Sequence, residues 1–221
     1  MGYSKKFKKT VDNQDALLYT IHIVNEKGVL MNKIILSDVD GVLLDWELAF
    51  HKWMEDKGYT AADKSLYKMN EAYDIEKAES KRLIREFNES VRMLDLPAFR
   101  DARSGVARLV EAGYQFVVIT SMSLDPMAKK AREINLEAVF GENVFVEVIC
   151  LDTGADKDEA LIPWKDSNII FIEDKAENAV TGADMGLRSI LIEHKHNAEC
   201  DDPRIARCAD WKEITDLILA E

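Results

Sequence analysis

Two aspartates follow a short apolar run near the start of the chain, in the segment SDVDG at residues 37–41. Alternate residues of an extended chain point the same way, so the side chains of Asp38 and Asp40 are predicted to project together from a strand end, where Gly41 permits a tight turn. Two close carboxylates repel each other and need a cation, a shared proton or both. A hard divalent cation would screen them and would also polarise the oxygens of an anionic substrate. The spacing therefore indicates a metal-assisted site, with an exposed acidic turn as the alternative.

Two hydroxyl residues, Thr120 and Ser121, follow a second apolar run at residues 116–119. Hydroxyl groups and free backbone amides at a strand end are suited to cradling the oxygens of a phosphate group. A helix cap or a turn would use the same two residues without binding a ligand. The two residues are therefore a candidate phosphate site.

A pair of acids, Glu173 and Asp174, follows a third apolar run at residues 169–172. Buried strands rarely end in paired acids without a partner, and a metal ion held by Asp38 would be such a partner. An N-cap, with both acids favoured by the helix dipole, is the alternative. Between the second and third runs, Lys157 lies in a predicted turn, where its ammonium group could balance the negative charge of the site.

The elements that would carry these residues follow an α/β pattern from Met31 onward. Short apolar runs alternate with segments of helical period, which is typical of a buried parallel sheet with helices on both faces. The predicted strands cover residues 33–37, 115–120, 144–150, 168–173 and 189–192. One of the helices between them is predicted to begin with Asp125 as its N-cap and Pro126 in its first turn.

The connection between the first two predicted strands is far longer than the dozen or so residues that a crossover requires. Residues 46–100 contain only helical signals, including an amphipathic face that begins after Asp45 and ends at Gly58. Because ligands of open α/β sheets bind at the carboxyl ends of the strands, this segment is predicted to cap an active site. The expected domains are a core at residues 31–45 and 101–221, a helical cap at 46–100, and an N-terminal extension at 1–30. The extension is either a non-native or disordered segment upstream of an original start at Met31, or it carries an ordered edge strand at 17–24.

The composition excludes several classes of protein. The chain has 221 residues, of which 47% are hydrophobic and 32% charged, so it can bury a core and is not expected to be disordered. A net charge of −12 disfavours nucleic acid and anionic membranes as partners. No apolar run approaches the roughly 18 residues that span a bilayer, so no membrane segment is predicted.

Three cysteines, Cys150, Cys200 and Cys208, make an odd count with no repeated spacing, which favours a reducing compartment and hence the cytoplasm. Cys200 also forms a short cluster with His194 and His196 that could bind a metal ion. The spacing of this cluster matches no standard zinc pattern, and a loop or a strand end is the alternative explanation.

Taken in order, the segments SDVDGVLLD, VVITS, GADK and IIFIEDKAEN resemble the four motifs of the haloacid dehalogenase superfamily. The resemblance covers residues 31–221, and the helical segment between the first two motifs is similar to the family's helical cap of the first type. The resemblance implies a Rossmann-like core, dependence on Mg2+ and phosphoryl transfer through an aspartyl phosphate.

Carried over onto this chain, the resemblance makes Asp38 the nucleophile that attacks phosphorus and Asp40 the general acid and base. Mg2+ would be held by the carboxylate of Asp38, the main-chain carbonyl of Asp40 and Asp174. Glu173 would be an outer-shell or alternative ligand. An aspartate at position 40 favours phosphatase chemistry over carbon-halogen hydrolysis, because a halide leaves without a proton.

The remaining motif residues would bind the phosphoryl group. Thr120 and the backbone amide of Ser121 would contact its oxygens. Lys157 would orient Asp38 and offset charge as the transition state forms. Two nearby lysines compete for that role, Lys165 and Lys175.

The substrate is less well defined. The segment DVDGVLLDWELAFHKWME is similar to the opening of the deoxyribonucleotidase branch, which favours a small phosphorylated substrate of the nucleoside monophosphate class, with Trp46 and Phe50 stacked on its base. Both aromatics also lie on one helical stripe, so a place in the core of the cap is the alternative. A sugar-phosphate phosphatase or phosphomutase is the second hypothesis, and a non-catalytic binding protein on the same fold is the least favoured. The oligomeric state does not follow from the sequence.

Overall fold

A computed structural model describes residues 33–220 and shows a six-stranded parallel sheet with helices packed on both faces. The strands are β1 (Ile34–Ser37), β2 (Gln115–Thr120), β3 (Phe145–Cys150), β4 (Ile170–Glu173), β5 (Arg188–Ile192) and β6 (Ala206–Cys208). Their order across the sheet is β3-β2-β1-β4-β5-β6, and every neighbouring pair is parallel. The predicted Rossmann-like α/β class is confirmed. The N-terminal extension at 1–30, with its edge strand at 17–24, lies outside the described residues.

The helices are α1 (Trp46–Asp56), α2 (Met69–Ala72), α3 (Lys77–Asn88), α4 (Ala102–Glu111), α5 (Pro126–Phe140), α6 (Asp158–Leu161), α7 (Ala176–Asp184) and α8 (Trp211–Leu219). Short 3-10 turns lie at Val91–Leu94, Ile162–Trp164 and Lys195–Asn197. Asp125 caps α5 as predicted, because its side chain accepts hydrogen bonds from the backbone N–H groups of Met127 and Ala128. Among the helices of residues 33–220, none is both long and apolar enough to cross a membrane.

The central strand β1 is buried on both faces, which explains its continuous apolar run. Ile35 belongs to one hydrophobic core, whereas Ile34 and Leu36 belong to a second core. Side chains of a strand alternate between the faces of a sheet, so the two cores lie on opposite sides of β1. The end of β1 at Ser37 is thereby fixed between β2 and β4, in the middle of the sheet.

The five predicted strands are confirmed, with shifts of at most two residues at their amino ends. The sixth strand, β6, escapes prediction because three residues are too few to show a period, and Arg207 interrupts their apolar character. It pairs with β5 from Ile190 opposite Ala206 to Ile192 opposite Cys208.

We call residues 46–100 the helical insert; they contain α1, α2, α3 and the 3-10 turn at Val91–Leu94. Aromatic rings form its core. Trp46 stacks on Phe50 with ring centroids 4.6 Å apart, and Phe87 meets both rings edge-on. The helical signals of the sequence therefore correspond to a small packed unit between β1 and β2.

The insert leaves and rejoins the rest of the chain at adjacent points. The N–H of Asp45 donates to the carbonyl of Pro97 at 2.9 Å, and the N–H of Phe99 donates to the carbonyl of Leu43 at 2.8 Å. Both ends therefore lie close to the turn that follows β1, which places the insert at the carboxyl edge of the sheet.

Candidate active site

The chain turns sharply after β1 and brings its two aspartates to the centre of this edge. Asp38 continues the pairing with β4, since its N–H donates to the carbonyl of Ile172 at 2.9 Å. Gly41 then adopts a φ of +80°, a left-handed conformation that residues with a Cβ rarely adopt. A Cβ on Gly41 would lie 2.7 Å from Oδ2 of Asp174, so the glycine also lets the turn approach that carboxylate.

Lys157 is the buried cation next to Asp38. Its Nζ lies 2.8 Å from Oδ1 of Asp38 and 2.6 Å from Oε1 of Glu173, and only 2% of the side chain is exposed. Burial lowers the pKa of Lys157, but the two carboxylates outweigh burial and hold the pKa above its ordinary value. Lys157 therefore stays charged beside the predicted nucleophile. Of the two competing lysines, Lys165 is exposed and Lys175 is half-buried.

Glu173 is fully buried and holds the ammonium group of Lys157 by a hydrogen bond. Its Oε1 accepts hydrogen bonds from Nζ of Lys157 and, at 2.9 Å, from Nδ2 of Asn178. Its Oε2 accepts from the backbone N–H groups of Asp174 and Lys175, both at 3.0 Å. Because both oxygens are already engaged, the geometry favours the outer-shell position of Glu173 over direct metal ligation.

The acids of the site form a cluster whose charge needs compensation. Oxygens of Asp38, Glu173 and Asp174 lie within 4.8 Å of one another. Burial raises the pKa of Asp38 well above its ordinary value; Lys157 opposes this shift, and three neighbouring carboxylates add to it, those of Glu173, Asp174 and Asp40. A buried cluster of carboxylate oxygens with this excess of negative charge fits a hard divalent cation such as Mg2+.

Thr120 ends β2, the strand beside β1, with a buried hydroxyl group. The residue is 1% exposed, and its Oγ1 has no hydrogen-bond partner among residues 33–220. A buried hydroxyl group without a partner is unfavourable, and an oxygen of a bound phosphate would satisfy it. The hydroxyl of the next residue, Ser121, donates to the carbonyl of Ala155 at 2.7 Å and so fixes the loop that carries Lys157. Phosphate binding by the Ser121 amide stays a prediction.

A buried arginine on α5 holds the second aspartate, and the sequence did not predict it. Nη2 of Arg132 lies 2.7 Å from Oδ1 and 2.9 Å from Oδ2 of Asp40. Burial raises the pKa of Asp40, and the Arg132 guanidinium opposes that shift. The available signal is a charged residue on a buried helical stripe, since Ala128 and Leu136 lie one turn before and after Arg132.

Two histidines in the segment after β5 form hydrogen bonds to backbone carbonyls of the site. Nε2 of His194 donates to the carbonyl of Gly41 at 2.8 Å, and Nε2 of His196 donates to the carbonyl of Asp174 at 3.0 Å. Of the three residues predicted to form a metal cluster, the structure groups His194 and His196 but not Cys200. Potential ligand atoms of His194, His196 and Asp174 lie within 4.8 Å of one another, and Cys200 is not in that group.

The helical insert contacts the core directly around the site. The ring of Tyr67 stacks on His196 with centroids 3.9 Å apart. Nδ2 of Asn88 donates to the carbonyl of Met122 at 2.8 Å, two residues after the end of β2. The insert is thus closed onto the sheet edge on both sides of the acid cluster.

The two aromatics predicted to stack on a substrate lie within the insert. Phe50 has no exposed surface, because it packs between Trp46 and Phe87. Trp46 is half-buried, and its Nε1 donates to Oδ1 of Asn88 at 2.8 Å. The packing favours the alternative that these rings form the core of the insert. Stacking on a base stays a prediction for Trp46, and this structure gives Phe50 no free face for it.

Solved structures of a HAD-superfamily hydrolase and of a sugar bisphosphate phosphatase are similar to this fold. A HAD-superfamily hydrolase from Ehrlichia chaffeensis is 15% identical with a TM-score of 0.53, and the match covers 86% of this chain and 97% of that one. The D,D-heptose 1,7-bisphosphate phosphatase of B. bronchiseptica, solved in complex with magnesium and phosphate, is 14% identical with a TM-score of 0.55. That match covers 85% of this chain and 98% of the phosphatase.

A curated protein is also similar in sequence. An uncharacterized 32.4 kDa protein from the Gp30-rIII intergenic region of Enterobacteria phage T4 is 27% identical over 164 residues, which cover 67% of this chain. The chain spans 56% of the length of that relative. No model of a known protein family matches the sequence.

Proposed function

We propose that this protein is a Mg2+-dependent phosphomonoester hydrolase that acts on a small phosphorylated metabolite through a phosphorylated Asp38. The observation that carries the proposal is the buried group of Asp38, Lys157 and Glu173 at the end of the central strand. A carboxylate held against a buried ammonium group is suited to attack an anionic phosphorus centre. Burying this many charges is unfavourable, and a site for a neutral ligand would not require them.

In the first half-reaction, an oxygen of Asp38 bonds to phosphorus while the bond between phosphorus and the ester oxygen breaks. Asp40 gives a proton to the leaving oxygen. Lys157 holds the Asp38 carboxylate in place and offsets the negative charge on the phosphoryl oxygens. The unpartnered hydroxyl of Thr120 donates to one of those oxygens.

In the second half-reaction, water attacks the phosphorus of phosphorylated Asp38, and Asp40 takes a proton from the water. The bond between phosphorus and the Asp38 oxygen breaks, which releases inorganic phosphate and restores both carboxyl groups. Asp40 is suited to both proton transfers because 25% of its side chain is exposed, so a substrate or a water molecule can reach it.

Asp38, Asp174 and the main-chain carbonyl of Asp40 are the groups that would hold Mg2+, with Glu173 in the outer shell. When bound there, the cation would supply positive charge that offsets the buried acids and polarises the phosphate oxygens. The magnesium and phosphate in the D,D-heptose 1,7-bisphosphate phosphatase, a protein of the same fold, support this assignment.

For the substrate, the resemblance of the opening motif favours a nucleoside monophosphate. A sugar phosphate is the second candidate, because the enclosure of Phe50 removes one of the two aromatic contacts that a base would use. A phosphomutase would need to keep the phosphorylated aspartate and rebind its sugar phosphate in a second orientation. A cytoplasmic location belongs to the proposal, since Cys150, Cys200 and Cys208 are all unpaired.

A panel of nucleoside monophosphates, sugar phosphates and phosphoglycolate, compared by kcat/KM with Mg2+ and with EDTA, tests this function. We expect turnover that EDTA abolishes and Mg2+ restores, with the best nucleotide ahead of the sugar phosphates by about tenfold, the effect of one stacking contact. Equal rates on all esters would remove the nucleotide preference. Activity that survives thorough chelation would contradict the metal assignment.

A further inference from the structure

Arg132 lies on α5, outside every segment in which the sequence indicated a functional residue. Its guanidinium has no exposed surface, and one nitrogen, Nη2, reaches both carboxylate oxygens of Asp40, at 2.7 and 2.9 Å. Burying a guanidinium group is unfavourable unless it is well paired, and an apolar side chain of similar size would fill the same space. A buried arginine here therefore indicates a role that an apolar residue could not perform.

The contact holds Asp40 from one side. A quarter of the aspartate side chain stays exposed (25%), whereas Arg132 has no exposed side-chain surface. The contact restricts rotation of the carboxylate about its last bond, because turning would break the hydrogen bond from Nη2 to Oδ2 and separate Oδ1 from the guanidinium charge. Arg132 therefore fixes Asp40 from the protein side and leaves the accessible side of the carboxylate to a ligand.

The helix that carries Arg132 is itself anchored next to the insert. Asn135, one turn further along α5, donates from Nδ2 to the carbonyl of Leu96 at 3.0 Å. Nε of Arg132 lies 3.5 Å from Sδ of Met122, in the segment after β2. The guanidinium thus reaches Asp40 from a support that is fixed to both the sheet edge and the end of the insert.

We propose that Arg132 is a positioning residue that aims the Asp40 carboxyl group at the leaving oxygen of the phosphoester. The proposal rests on the proposed function. Arg132 does not contact the substrate; it acts through Asp40, whose proton passes to the ester oxygen as the bond to phosphorus breaks. Esters with a poor leaving group need this proton and depend on the aim of Asp40, whereas esters with a good leaving group do not.

The test compares two substrates in the full chain with Mg2+: glycerol 2-phosphate, an alkyl ester with a poor leaving group, and 2,4-dinitrophenyl phosphate, whose phenolate leaves without a proton. We expect Arg132→Met to lower kcat/KM for the alkyl ester by about 100-fold and for the aryl ester by less than about threefold. Arg132→Lys should recover part of the loss, since one ammonium group can still contact the carboxylate.

A second comparison separates this role from a structural one. In an Asp40→Asn background, Arg132→Met should lower the alkyl-ester kcat/KM by less than about threefold, because the residue it acts through is already disabled. Leu136→Ala is the matched control; it removes a fully buried apolar side chain from the same helix. We expect it to lower the unfolding midpoint and to leave the ratio of the two substrates unchanged.

An equal fall in kcat/KM for both esters in Arg132→Met would overturn the positioning role. The role would also be overturned if Arg132→Met lowered the alkyl-ester kcat/KM as much in the Asp40→Asn background as in the wild-type protein. A wild-type protein without activity on either ester would overturn the proposed function, and the role of Arg132 with it. An active wild-type protein whose substrate ratio does not change in Arg132→Met would overturn the role of Arg132 alone.

Discussion

Lys157 is the side chain on which the charge balance of the site depends most directly. Its ammonium group contacts Asp38 at 2.8 Å and Glu173 at 2.6 Å, and all three groups lie in or near the interior. Each buried charge is tolerated because it has a partner, and the loss of one partner leaves the others uncompensated. The same residue would both stabilise the fold and orient the nucleophile.

We therefore expect Lys157→Met to lower kcat/KM by about 100-fold or more. The free energy of unfolding should also fall, by about 3 to 5 kcal/mol, because two buried carboxylates lose their cation. Steady-state kinetics and urea unfolding measure the two effects. Lys165→Met is the control: that lysine is exposed, so its removal should change stability by less than about 0.5 kcal/mol. Near-normal turnover in Lys157→Met would mean that another group orients Asp38.

The sequence indicates the acids and Lys157 but not Arg132, the partner of Asp40. Asp38 and Asp40 stand out because they directly follow an apolar run. Arg132 is distant from them in the chain, and only its place on the buried side of α5 distinguishes it from surface arginines. Which carboxylate such a residue meets depends on how a helix packs against a turn, and the period of the helix does not contain that information.

At the scale of elements, the turn after β1 is constrained by its backbone conformation and by its close approach to Asp174. Gly41 has a φ of +80°, and a Cβ there would collide with the Asp174 carboxylate. The turn and the end of β4 must therefore approach closely for the acids to share one cation.

Gly41→Ala should destabilise the protein by about 1 to 2 kcal/mol through backbone strain and should also weaken Mg2+ activation by displacing Asp174. Gly58→Ala is a matched control, because Gly58 has a similar φ of +86° and nothing within 4 Å of its added Cβ. We expect Gly58→Ala to lower the free energy of unfolding, measured with urea, because its backbone is strained. The Mg2+ concentration for half-maximal activity should not change in this control. An unchanged Mg2+ dependence in Gly41→Ala would show that this close approach is not needed.

The elements were easier to predict than their contacts. Five strands and the helical insert follow from periodicity, because each has a run of buried or amphipathic residues long enough to recognise. The stack of Tyr67 on His196 joins the insert to a segment far along the chain, and neither residue lies in a pattern that indicates the other. The same holds for Phe50, whose helical stripe predicts a buried face but not which rings enclose it.

At the scale of the whole molecule, the net charge of −12 disfavours large polyanions but not a small phosphate. Acids of the site meet the buried cations Lys157 and Arg132, and a divalent ion would complete the balance. An otherwise repelling surface can thereby enclose a local site for an anion. The proposed function requires that Asp38 becomes phosphorylated during turnover.

The most direct test is to quench the wild-type protein with acid during turnover of a phosphomonoester and to locate the added phosphate by peptide mass spectrometry. Asp38→Asn, checked for folding by its unfolding curve, serves as the comparison. We expect a phosphate on the peptide that contains Asp38 in the wild-type protein, and neither phosphate nor turnover in the variant. Phosphate on another residue, or Mg2+-dependent turnover by Asp38→Asn, would contradict the account.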